Sequence, residues 1–126
     1  MSARLIATCV LLAGFIITSQ HVLAGGNGNV ATMAKIIMHL NHFPSSSEKN
    51  DLKKIVSSSS SEHEKTIAQA MINLHHSASS ADKKKLKMIM SDGSASAALK
   101  DLAGIIYNLN HKPSSSDKQK LAAIAN

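Results

Sequence analysis

Apolar residues recur along this chain in short bursts at helical spacing. They are Val30, Met33, Ile37 and Leu40; Leu52, Ile55 and Val56; Ile67, Met71 and Leu74; Leu86, Ile89 and Met90; Leu99, Leu102, Ile106 and Leu109; and Leu121, Ile124 and Ala125. Steps of three and four residues place such side chains on one face of a helix, so the pattern predicts six short amphipathic helices. Between the bursts lie stretches rich in Ser, Asn, His and Pro that end one helix and begin the next.

The bursts repeat. Ile36 to Val56 (IIMHLNHFPSSSEKNDLKKIV), Ala70 to Met90 (AMINLHHSASSADKKKLKMIM) and Ile105 to Ala125 (IIYNLNHKPSSSDKQKLAAIA) are three copies of one segment. From His42 to His76 to His111 the steps are 34 and 35 residues, so insertions between copies are almost absent. Self-similarity at a fixed period predicts architecture more strongly than local propensity does. The expectation is an all-α fold of three repeated helical hairpins, about 29–60, 61–93 and 94–126, forming a compact bundle or a short solenoid. The last segment, Ala122 to Asn126, carries no polar capping repeat, which favours closure or dimerisation over an open stack.

Serine marks the helix starts. Ser45 with Glu48, Ser79 with Asp82 and Ser114 with Asp117 share one repeat column and read as capping boxes, and Ser61 with Glu64 reads as another. Ser91-Asp92-Gly93-Ser94 reads as a turn and cap. The run Ser57 to Ser61 is the most disordered-looking stretch of the repeats, unless the preceding helix extends into it.

Residues 1–24 have the layout of an export signal: Arg4, an apolar run from Leu5 to Ile17, and a small-residue cleavage site at Val22-Leu23-Ala24. Residues 25–28, Gly-Gly-Asn-Gly, read as a flexible leader, and 29–126 as a single helical-repeat domain. The product expected is secreted and extracellular, passing through the periplasm in transit. The only cysteine, Cys9, lies in the apolar run, so a mature chain has neither disulfides nor thiol chemistry and relies on packing and capping.

Arg4 is the only arginine. Removing it from a net charge of +6 leaves +5, carried entirely by lysine. Lysine is a flexible point charge without the planar fork that reads guanine edges, which argues against sequence-specific nucleic-acid recognition. Phe43 and Tyr107 are the only aromatics after Ala24, so base or sugar stacking has little material.

Lysines give the first candidate site. Lys49, Lys83 and Lys118 fill one repeat column, Lys53 and Lys87 lie one turn further along, and Lys84 and Lys85 thicken the middle copy. If the hairpins stack in parallel register, these seven form a basic stripe suited to anionic membrane lipids, phosphoinositides above all, or to acidic glycans. The plain alternative is that each is a solubilising, snorkelling residue. A cation in the first helical turn opposes the helix dipole, which capping does not explain.

Histidines give the second. His39 and His42 are spaced i, i+3, with His75, His76 and His111 at matching positions, and imidazoles so placed suit zinc, copper or nickel. Histidine near a helix C-terminus also complements the dipole and bonds the last carbonyls, which suffices without a metal, and no cofactor is required. Ahead of metal capture, the second reading after the basic face is a protein partner or homodimer held in hairpin grooves lined by Met33, Met38, Met71, Met88 and Met90. The serines are numerous and loop-borne and no carboxylate pair lies on an apolar face, so no catalytic constellation points to an enzyme.

The export signal, the cysteine-free Lys- and Ser-rich chain and the LNHFPSSSEK-type hairpins together resemble the small orphan helical proteins that Legionella-type intracellular bacteria release by type II secretion. That resemblance implies action outside the cell, on host membranes, in virulence.

Overall fold

The computed structural model describes residues 26–126; the export signal expected at 1–24 lies outside them. The described chain is all-helical, with α1 at Gly26–Met38, α2 at Ser46–Ser58, α3 at Glu62–Ile72, α4 at Ser80–Ser91, α5 at Ala97–Asn108 and α6 at Ser115–Ala125. Among these residues no helix is long and apolar enough to cross a membrane.

The six helices close into a ring. α1, α3 and α5 pack on one another around a central axis, while α2, α4 and α6 lie outside and do not pack against each other. The most extensive pairings are α2 with α3, α4 with α5, and α6 with α1, so the first and last helices seal the ring. Two of these pairs span the links between copies, the third joins the first and last helices, and none lies within the repeated hairpin. The shortest link goes with the most extensive pair, since short connections make antiparallel neighbours. Three residues join α2 to α3, whereas seven separate α1 from α2 and α3 from α4.

Equivalent positions of the three copies build the core in layers. Met33, Ile67 and Leu102 are fully buried, as are Ala34, Ala68 and Ala103, then Ile37, Met71 and Ile106. Leu40, Leu74 and Leu109 close that end of the core. The alanine layer is small enough for three helices to approach one axis. Leu52, Leu86 and Leu121 fix the outer helices with no exposed surface. Burying a leucine side chain in this way is worth about 1.5–3 kcal/mol.

The cap signals are used, with two refinements. Ser45 and Ser114 form reciprocal capping boxes with Glu48 and Asp117. Ser61 and Ser79 accept from the backbone of Glu64 and Asp82, but those carboxylates turn inward. Glu64 accepts from Asn29 Nδ2 at 2.9 Å and Ser59 Oγ at 2.6 Å, while Asp82 accepts from Ser79 Oγ at 2.7 Å and Asn73 Nδ2 at 3.3 Å. The serine run is ordered by the same bonds: α2 reaches Ser58, Ser59 caps it and Ser61 begins α3.

Two boundaries differ from expectation. The glycine-rich leader read at 25–28 is helical from Gly26 onward. Packing of Val30 and Met33 and the bond from Thr32 Oγ1 to the Gly28 carbonyl, 2.8 Å, hold this turn despite glycine's poor propensity. The cap of α5 is Ser96, not Ser94. Ser94 instead donates to Asp92 Oδ1 from both its N–H and its hydroxyl, at 2.8 Å, closing a turn after α4.

Candidate metal centre

Ring closure brings the three equivalent hairpin tips to one end of the axis. In each tip the residue just before the capping serine is buried: Pro44, Ala78 and Pro113. These anchors hold the preceding histidine over the last apolar layer. Two backbone bonds then lock the tips together: His111 N–H donates to the His76 carbonyl at 2.8 Å, and His42 N–H donates to the His111 carbonyl at 3.0 Å.

His42 and His111 have left-handed backbones, φ 76° and 65°. Among side-chain-bearing residues His is one of the few enriched there, yet the conformation still costs about 1–3 kcal/mol at each position. At His111 the strain is part of a tight turn, with Lys112 N–H donating to the Asn110 carbonyl at 2.8 Å.

The result is a cluster of three exposed imidazoles from three copies of the repeat. One ring nitrogen of each of His42, His76 and His111 lies within 4.8 Å of the others. His111 Nδ1 is 3.2 Å from His42 Nδ1 and 3.1 Å from His76 Nδ1. Each such nitrogen has a single in-plane position, filled by a lone pair or a proton. A proton on His111 Nδ1 therefore serves one neighbour at most, while a cation accepts a lone pair from all three. With Zn–N bonds of 2.0–2.1 Å, tetrahedral ligand nitrogens sit about 3.3 Å apart, close to both short edges of this triangle. Rotation of one exposed ring closes the third edge, because imidazole torsions have broad minima.

Of the five histidines read as candidate ligands, the structure brings these three together and leaves His39 and His75 outside the cluster. His39 Nδ1 lies 2.9 Å from the Lys35 carbonyl, the helix-end bond expected of a histidine without a metal. No such carbonyl bond engages the rings of His42, His76 or His111; their partners are one another.

The seven lysines do not form one stripe. Lys49 and Lys53 lie on α2, Lys83, Lys84, Lys85 and Lys87 on α4, and Lys118 on α6, three helices held apart by the inner ring. The parallel stacking that would align them is absent because the repeats close around an axis. Lys49 lies 5.8 Å from the Phe43 ring centroid and Lys83 lies 5.6 Å from that of Tyr107. Cation–π packing thus accounts for two members of the column that capping left unexplained. The methionine groove is also reduced, since Met33 and Met71 are core residues and only Met88 and Met90 are well exposed.

A second polar cluster was not anticipated. His63 Nε2 lies 2.9 Å from Asp92 Oδ2, joining the start of α3 to the end of α4. Asp92 is drawn down to about 2, first by the Ser94 backbone N–H, then by the Ser94 hydroxyl and His63. These residues border a groove of about 750 Å³ that also contains Lys84, Lys85, Lys87 and Met88. No family model, no curated protein and no solved structure matches the chain, so the chemistry of both places rests on their geometry.

Proposed function

We propose that this protein binds a divalent transition-metal ion through His42, His76 and His111. The observation that carries this reading is the convergence of three Nδ1 atoms, with two edges of 3.1 and 3.2 Å, from residues 34 and 35 positions apart. Three neutral imidazoles without a carboxylate or thiolate suit zinc, copper and nickel ahead of magnesium or calcium. A set of three protein ligands leaves further coordination positions to water or another small ligand on the solvent side. The site is read as a binding centre and not as an enzyme.

Binding would also act on the fold. The ion ties together the tips of all three copies, and anything bound only by the native state stabilises it by mass action. Part of that gain offsets the left-handed backbones of His42 and His111.

Calorimetry with zinc, nickel and copper on residues 25–126 tests the proposal. One ion per chain is expected, with affinity lost when His42, His76 and His111 are all replaced by alanine and retained when His39 and His75 are replaced. Binding that survives the triple replacement would refute it.

A further inference from the structure

The groove between α3 and α4 lies apart from the histidine centre. Its border includes Thr66, Met88 and Ile89, the acid-side cluster Glu62, His63 and Asp92, and Lys84, Lys85 and Lys87. Most of its exposed surface is apolar, supplied by lysine stems together with Met88, which is 71 % exposed.

Charge pairing in the groove is one-sided. Glu62 accepts from Lys65 at 2.8 Å, and Asp92 lies against His63 at 2.9 Å while accepting two bonds from Ser94. Both acids are thus engaged locally. Among the described residues none of Lys84, Lys85 and Lys87 has an ion-pair partner, and all three are exposed. The groove therefore combines apolar surface, Met88 included, with three ammonium groups that have no ion-pair partner.

We propose that this groove binds a single-chain amphipathic carboxylate, a fatty-acid anion. The chain lies along Thr66, Met88 and Ile89, and the carboxylate meets Lys84, Lys85 and Lys87. A volume of about 750 Å³ suits a small ligand, and apolar surface beside several cationic groups suits an anionic amphiphile. Lysine rather than arginine fits a lone carboxylate, which needs charge more than a fork.

Titration with decanoate below its micelle concentration tests the proposal, followed by calorimetry and by methyl shifts of Met88 and Ile89. One decanoate per chain is expected, with affinity falling at least about tenfold in K84Q/K85Q/K87Q and weakening as salt is raised. Decyltrimethylammonium, with the same chain and opposite charge, should bind at least tenfold more weakly than decanoate. No heat with decanoate, equal binding of the two amphiphiles, unchanged affinity in the triple variant, or binding only to anionic phospholipid vesicles would each overturn it. Replacing His42, His76 and His111 should leave decanoate binding intact, which separates this site from the metal reading.

Discussion

His111 and His76 are joined twice, by a 2.8 Å bond from the His111 N–H to the His76 carbonyl and by a 3.1 Å approach of their Nδ1 atoms. His42 is joined to His111 in the same two ways. His111 is thus the hub of the triangle, with its main chain and its ring both shared.

Replacing the hub should therefore cost more than replacing a corner. H111A is expected to lower zinc affinity by at least about tenfold, since even the partners that orient metal ligands are worth 10–100-fold. H42A and H76A should each retain a weaker two-histidine site. Competition against a chromogenic chelator ranks the three.

Backbone strain gives a test that needs no metal. Glycine at His42 or His111 relieves a left-handed φ, whereas His76 is not in that region. Without metal, H42G and H111G should be about 1 kcal/mol more favourable than H76G, read from urea unfolding midpoints. Equal destabilisation by all three would contradict the strain.

The closed ring predicts equal treatment of its outer helices. Leu52, Leu86 and Leu121 are each fully buried at equivalent positions. Alanine at any of them should cost about 2–5 kcal/mol, the range for buried leucine. A cost near zero at Leu121 would mean that α6 does not seal the ring against α1.

How much of this was legible in the sequence differs by layer. Apolar spacing revealed the six helices, and the serine caps fixed their starts, because both are local patterns. Closure was only half legible, in the unprotected end of the last helix. The histidine column was visible at constant spacing, between neighbours that vary: Asn41, His75 and Asn110 before it, Phe43, Ser77 and Lys112 after it. What it meant depended on a common axis and on left-handed turns, which arise from ring closure and from buried Pro44, Ala78 and Pro113. The aromatic partners of the lysine column were hidden for a related reason. Tyr107 lies 24 positions beyond Lys83 in the chain and reaches it only in the folded ring.

Acid unfolding should report Asp92. Its folded-state value, about 2, is below the ordinary 3.8, so its contribution is present above the ordinary value and is lost as pH falls from about 4 through about 2. D92N should flatten the stability profile over that window and lower it by a constant amount above pH 5, as read by denaturant midpoints.

The metal centre is tested most directly by the histidine ring nitrogens themselves, followed by 15N-detected NMR as zinc is added to one equivalent. Nδ1 of His42, His76 and His111 should shift together to metal-bound values, while the rings of His39 and His75 stay as they were. Shifts confined to His39 and His75, or no Nδ1 shift at one equivalent, would contradict the account.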